Sequence, residues 1–310
     1  MRILDLFSCL LLVWTVFCAE ETKTTTDKNV CPDFAHTDPR LPKVAENHID
    51  YDLFLHPNIT ERKFIGSVNI SFTIGKPTNL IVLHASGLKH SSIEATVAGK
   101  TVKVAFSECN VTSLWAFAFD KQLQKKDRVS LKIKYEGVLE AGMNGLYIAT
   151  HESRAENKTW ESLVTQFEPD NARKMLPCFD EPGFKGMFTV AVVHEKEQIA
   201  LSNMVVRNVK NYAEGEDGVK AGDPNLRDSI SYARALPTAP LEVRINAPKE
   251  SLKGHADFPL DFAARALDYF GEYFGLVYPL EKIDLIAVRD FEAGAMGNGD
   301  LSIDVSAGQQ

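Results

Sequence analysis

The 310 residues predict a mainly β protein, an antiparallel β-sandwich followed by a segment with a helix and a buried strand. Three observations carry this. Between Tyr51 and Ile148, short runs of alternating apolar and polar residues succeed one another with turn residues between them, the pattern of an antiparallel sandwich. Further on, Asp257–Phe274 has helical periodicity and is followed by an apolar run of strand length. Between the two lies TQFEPDNARKMLPCFDEP, residues 165–182, whose prolines fix φ and remove backbone donors, so a regular helix or strand is disfavoured there.

The N-terminus carries Arg2, an apolar run from Leu6 to Phe17, and the small residues Cys18 and Ala19. A hydrophobic stretch of about a dozen residues with a small-residue exit reads as a secretory signal over residues 1–19. Asp5 and the imperfect small-x-small exit at Val16 and Cys18 keep an uncleaved membrane anchor and a cytosolic product open as second and third readings. Residues 20–39 are polar, rich in Thr and Lys, and read as a stalk. No later apolar run approaches the roughly 18–20 residues that span a bilayer. With 45% apolar and 25% charged residues the composition is that of an ordinary globular chain. The net charge of −8, with basic residues scattered, argues against nucleic acid as a partner.

From Asp50 the period is two. Tyr51, Leu53 and Leu55 alternate with Asp52, Phe54 and His56, and Phe64, Gly66, Val68, Ile70 and Phe72 share one face. Further strands are predicted at 80–84, 93–97, 101–106, 114–119, 129–135 and 146–148. Gly75-Lys76-Pro77, Gly99-Lys100 and Lys126-Asp127 supply turns between them. Gly186–His194 reads as another strand, and 208–228 as an exposed polar loop or hairpin. In Asp257–Phe274 the residues Ala263, Ala266, Leu267, Phe270 and Phe274 recur at helical spacing, with Asp257 and Pro259 at the start and Gly275 at the stop. Residues 282–288 follow as a buried strand. The predicted domains are 40–240 and 241–310.

Four N-x-S/T sequons begin at Asn58, Asn69, Asn110 and Asn157, candidate glycosylation sites in a lumenal protein. Removal of 1–19 leaves Cys31, Cys109 and Cys178, an odd count with at least one free thiol. A Cys31–Cys109 bridge is one pairing the count allows, and Cys178, between Pro177 and Phe179, reads as a buried packing thiol. His194-Glu195 and His151-Glu152 imitate half of a zinc helix. Gln198 and Ala155 stand where the second His at i+4 is required. No metal ligand and no catalytic residue is assigned.

Taken alone, 165–182 is either a loop of the kind in which ligand chemistry sits or a plain surface loop with capping acids. The order of its residues adds more. TQFEP, then Ala172-Arg173, then PCFDEP resembles the signature of the aminopeptidase N family of gluzincin zinc aminopeptidases. EAGAM at 292–296 resembles that family's G-A-M-E-N element, and RLP, YDLFLHPNIT, FIGSVNI, IVLHAS, YEG, ALSNM and YPLEKIDLIAV carry the similarity across residues 40 to 298. The resemblance implies a saddle-like sandwich over 40–240 and the truncated start of a thermolysin-like catalytic domain over 241–310. It also implies zinc in the parent family, and a parent activity that removes N-terminal residues from peptides with zinc-activated water.

Recognising a free N-terminal ammonium requires acceptors that offset its desolvation, each charge-assisted hydrogen bond contributing about 1.5–3 kcal/mol. By the resemblance, Gln166 and Glu168 take the Q-x-E positions, with Glu168 as amine anchor, and Gly294, Ala295 and Met296 open the G-A-M-E-N element. The counterparts of Gln166 and Met296 line a side-chain pocket in relatives. The family's second anchoring Glu is Gly297 here, and the following Trp-Gly is Gly299-Asp300. No H-E-x-x-H occurs in the 310 residues. Where relatives continue past ISYARALPT into an apolar strand, this chain passes from Pro240 straight to Leu241. Loss of a central strand would leave backbone groups unpaired and expose apolar surface at ~25 cal/mol per Å², unless a neighbouring segment substitutes. The expectation is a truncated portion of a secreted or cell-surface zinc aminopeptidase, inactive alone, binding no zinc and holding peptide N-termini weakly. The alternative is a non-catalytic secreted module that binds peptides or pairs with a full-length relative.

Overall fold

The computed structural model describes residues 40–154, 156–212, 229–233, 241–248, 252, 254–276, 278–291, 294–298 and 301–304. The predicted signal, the stalk, Cys31, Ala155, Pro240 and Asp300 lie outside them. Eight strands come first: β1 (Ala45–Asn58), β2 (Lys63–Ile74), β3 (Thr78–His84), β4 (Lys89–Val97), β5 (Lys100–Val102), β6 (Val104–Cys109), β7 (Leu114–Leu123) and β8 (Arg128–Val138). β9 (Gly145–Ser153) and β10 (Lys158–Gln166) make a hairpin apart, after which β11 (Gly186–His194), β12 (Val206–Asn211) and β13 (Ser229–Ala233) return to the first sheet. That sheet runs β12-β13-β11-β1-β2-β8-β4-β5, and a second runs β3-β7-β6. All pairings in the two are antiparallel except β1 with β11, which lie parallel from Ile49 opposite Gly186 to Leu55 opposite Val192. The sequence reading made the sandwich wholly antiparallel. A parallel pair needs a long crossover, and here the chain from β2 to β10 supplies it.

The core lies between the two sheets. β2 turns Phe64, Val68, Ile70, Phe72 and Ile74 inward, β8 adds Val129, Leu131, Ile133 and Tyr135, and Ile81, Leu83, Trp115 and Phe117 of the second sheet meet them. Each such side chain stabilises by about 1.5–3 kcal/mol when removed from water. Two glycines serve this packing: Gly66 lies opposite Tyr135 and Gly137 opposite Phe64. A Cβ on either would stand 2.3 Å from the facing ring, so the aromatic rings occupy the space that side chains would fill. The single strand predicted at 101–106 breaks at Lys103. β5 folds back on β4 in the first sheet, whereas β6 pairs with β7 in the second.

The α+β opening consists of β14 (Glu242–Asn246), the helix α1 (Asp257–Phe274), β15 (Lys282–Ala287), β16 (Ala295–Asn298) and β17 (Leu301–Asp304). Its sheet runs β14-β15-β17-β16, parallel except for β16 with β17. The residues after Pro240 thus start a new sheet and do not extend the sandwich. Gly275 ends α1 at φ 62, and the Leu276 N–H reaches back to the Gly271 carbonyl at 3.1 Å, a glycine stop. The helix spans the residues that the spacing predicts. Ala263, Ala266 and Leu267 are half-buried, but Phe270 and Phe274 are 52% and 63% exposed, because the main neighbour of α1 among the described residues is the single strand β14. No helix among the described residues is long and apolar enough to cross a membrane.

Buried charge joins the new sheet to the sandwich. Lys282 is buried, and its Nζ donates to the Ser202 carbonyl and to Asp284 Oδ2, both at 2.5 Å. Arg244 donates to both oxygens of Asp284 at 2.6 and 3.1 Å, and Arg207 of β12 donates to both oxygens of the buried Glu281 at 3.1 Å. Burial pushes the Asp284 carboxyl up, but the donors of Arg244 and Lys282 outweigh it and hold the group below the usual carboxylate range. Buried ions persist only when paired in this way.

Candidate functional site

The segment 165–182 divides into two parts with different work. Its second half is not a surface loop. Met175, Leu176, Cys178 and Phe179 are buried in the sandwich core. His84 and Cys178 exchange backbone hydrogen bonds at 2.8 and 3.0 Å, and the Ser86 N–H reaches the Arg173 carbonyl at 2.9 Å. Phe179 packs edge-on against Phe72 and stacks on Phe184, while its N–H donates to the Tyr51 hydroxyl at 3.2 Å. The acids are structural here: Asp180 accepts from Arg173 Nε at 2.8 Å and from the Arg173 backbone at 3.2 Å, and Glu181 accepts from the Leu41 N–H at 2.5 Å. Cys178 is a free, buried thiol, as its position between Pro177 and Phe179 suggested, and burial pushes its pKa well up.

The first half faces a groove. β10 extends to Gln166, beyond where the sequence placed any strand, and pairs residue by residue with β9, Gln166 opposite Gly145. Among the described residues the buried Gln166 Oε1 has no hydrogen-bond partner. Two residues on, Glu168 is exposed, and among the described residues no hydrogen bond or ion pair engages its carboxylate. Its carbonyl accepts from Asn171 Nδ2 at 3.2 Å, which fixes the backbone of the turn before the short 3₁₀ segment Ala172–Lys174. Glu168 lines the groove with Phe167, Leu163, Phe179 and, from the second domain, Ile286 and Val288. An open carboxylate on a groove is an arrangement that accepts hydrogen bonds from a cation.

Gly294 and Ala295 are exposed and Met296 is half-buried, leading into and along β16. Met296 and Val164 of β10 pack against one buried cluster of Tyr147, Ala149, Val288 and Phe291. The structure therefore brings the two predicted segments to the same junction, though Gln166, Gly294, Ala295 and Met296 are not among the groove's lining residues. Sequence reasoning missed Asp290, which stitches the junction. Its carboxylate accepts from the Thr150 N–H at 2.7 Å and the Thr150 hydroxyl at 2.8 Å, and its carbonyl accepts from the Tyr147 hydroxyl at 2.7 Å. No local signal announces a contact between residues 140 positions apart in sequence.

The zinc look-alikes have other surroundings. His194 ends β11, its Nδ1 lies 2.8 Å from the Glu195 carbonyl, and Gln198 accepts from the Glu195 N–H. His151 lies within β9, paired with Trp160. Among the described residues no three His, Cys, Asp or Glu side chains converge as a metal site. Of the sequon residues, Asn110 and Asn157 sit on exposed turns, Asn157 at φ 47. Asn58 caps its turn by accepting from the Glu61 N–H at 3.0 Å, and Asn69 lies within β2, accepting from the Ser130 hydroxyl at 2.5 Å. Cys109 is disulfide-bonded.

Comparison with known families places this architecture. Residues 47–221 match the Peptidase M1 N-terminal domain and residues 258–306 match the Peptidase family M1 domain. The chain belongs to the M1 aminopeptidase N family, of which it carries the N-terminal part. It is 34% identical over 268 residues to Aminopeptidase 2, mitochondrial, of Saccharomyces cerevisiae, covering 82% of this chain and 27% of that one. It is 35% identical to Aminopeptidase M1 of Arabidopsis thaliana, over 85% of this chain and 31% of the relative. It is 30% identical to Endoplasmic reticulum aminopeptidase 1 of Homo sapiens, over 94% and 32%. The chain thus spans less than a third of the length of these relatives.

Proposed function

We propose that these residues supply the part of a zinc aminopeptidase that receives the substrate's free N-terminus, and that as a separate polypeptide they cut no peptide bond. The observation that supports this most is the Glu168 carboxylate, exposed on the groove and engaged by no hydrogen bond or ion pair among the described residues. A peptide ammonium in the groove would give that carboxylate a charge-assisted hydrogen bond. The side chains described here do not fit a zinc ion: no trio of ligands converges, and His151 and His194 belong to strands. Zinc chemistry is assigned in this reading to sequence bearing H-E-x-x-H, which the 310 residues do not contain, and no step is drawn through the metal. Titration of a dipeptide with a free amine, and of its N-acetyl form, tests the anchor by NMR shift changes. The free amine is expected to bind roughly tenfold or more tightly, and Glu168→Gln to abolish the difference. Equal binding of both forms would remove the anchor role.

We further propose that the chain passes through the secretory pathway to the outside of the cell. The disulfide at Cys109 and the exposed turns carrying Asn110 and Asn157 support this. Glycans at these two positions would slow migration on gels until removed by a peptide N-glycosidase. A chain from animal cells whose mobility the enzyme leaves unchanged would count against it.

A further inference from the structure

Among the described residues the hairpin β9–β10 has no other strand beside it, only an isolated bridge from Glu140 to Tyr147, and an isolated two-stranded hairpin is marginal in water. Its direction must therefore be set by contacts outside its own ladder. Toward the sandwich, Ile148 is buried in the sandwich core with Leu146 and Leu163 packed against it, and the exposed Arg62–Glu161 ion pair at 2.5 Å adds a contact of the kind that holds weakly. Toward the second domain the contacts are directed hydrogen bonds. Thr150 gives Asp290 both its backbone and its hydroxyl proton, and Tyr147 gives its own to the Asp290 carbonyl. Tyr147 is buried, and burial followed by the nearby Asp290 charge pushes its pKa up to about 12, so it remains a donor at neutral pH. In register, Tyr147 lies opposite Val164 and Thr150 opposite Glu161, so holding β9 holds the strand that ends at Gln166. On the other side, Asp290 stands four residues before Gly294 and beside Phe291, which shares its buried cluster with Met296.

We infer that Asp290 is a positioning residue for peptide-amine recognition, fixing the separation between the Gln166–Glu168 segment and the Gly294–Met296 segment. Glu168 follows β10 closely, and its placement over the groove is only as firm as the hairpin's. The inference rests on the amine-anchor reading of Glu168, but one of its tests does not. Nitroxide labels at Thr165→Cys and Gly297→Cys, both exposed positions, report the separation by pulsed electron spin resonance. The otherwise unaltered chain is expected to give a narrow distance distribution, Asp290→Ala one at least about twice as wide, and Asp290→Asn, which keeps an acceptor oxygen, to restore it. The preference for free over acetylated dipeptide is expected to fall about tenfold in Asp290→Ala and to return in Asp290→Asn. A purely structural role would lower the melting temperature without widening the distribution. An unchanged distribution, or a preference unaltered in a variant whose distribution has widened, overturns the inference. Absence of any preference in the unaltered chain, with the distribution responding as expected, removes the amine reading and leaves the clamp standing.

Discussion

His84 shows how closely single residues are determined by the segment 165–182. It ends β3, is buried, and pairs its backbone with that of Cys178. Burial, with the Arg173 charge adding to it, lowers its pKa from the usual 6.5 to about 4. The folded protein thus resists a proton that the unfolded chain accepts. The stability this represents is complete above pH 6.5, is lost as pH falls from there toward 4, and amounts to about 3 kcal/mol. Urea unfolding midpoints followed from pH 7 to 4.5 should fall for the natural chain and fall less steeply for His84→Gln; parallel slopes would mean that another group is responsible. Asp284 acts in a lower window, since its depressed pKa gives stability that is lost only as pH drops through the ordinary carboxylate range near 3.9 and below. Among the carboxylates of the signature, the structure distinguishes what composition could not: Asp180 and Glu181 hold the backbone, whereas Glu168 is exposed and engaged by no hydrogen bond or ion pair among the described residues.

At the scale of elements, PCFDEP is a wedge that closes one end of the sandwich, and Arg173 is its pin. Its guanidinium donates to the Asp180 carboxylate at 2.8 Å and to the Asp180 carbonyl at 3.2 Å, with both side chains mostly buried. Arg173→Ala leaves Asp180 uncompensated, and we expect a loss of about 2–4 kcal/mol in chemical unfolding; a loss under about 0.5 kcal/mol would show that the wedge is held by its apolar residues alone. The strands of the sandwich were legible because β2 and β8 alternate with one buried face. β10 was not, because Lys158 to Ser162 are exposed on both faces and carry no alternation. The helix α1 was legible in extent from its periodicity and Gly275, but the exposure of Phe270 and Phe274 was not, since periodicity tells which face is apolar and not what covers it. Of the site, Gln166 and Glu168 could be picked out by their motif. Asp290 could not, because its partners Tyr147 and Thr150 come from a distant part of the chain and only folding brings them together.

At the largest scale, the described residues form a sandwich with a further four-stranded sheet beside it, joined by paired buried ions around Lys282, Asp284 and Glu281 and by the Asp290 contacts. One face of α1 carries Phe258, Phe262, Phe270, Tyr273 and Phe274 at the surface, more apolar area than a soluble chain usually leaves open. The relatives' greater length allows for sequence that would cover it. Recognition without bond cleavage is the central claim at this scale. Hydrolysis of the kind proposed for the relatives' zinc chemistry needs an activated water, and among the described residues no three His, Cys, Asp or Glu side chains converge as a metal site. The most direct measurement is release of arylamine from amino-acid arylamides by the purified chain, with zinc added and again with a chelator present. The account predicts no turnover above buffer in either condition; turnover that zinc supports and the chelator abolishes would contradict it.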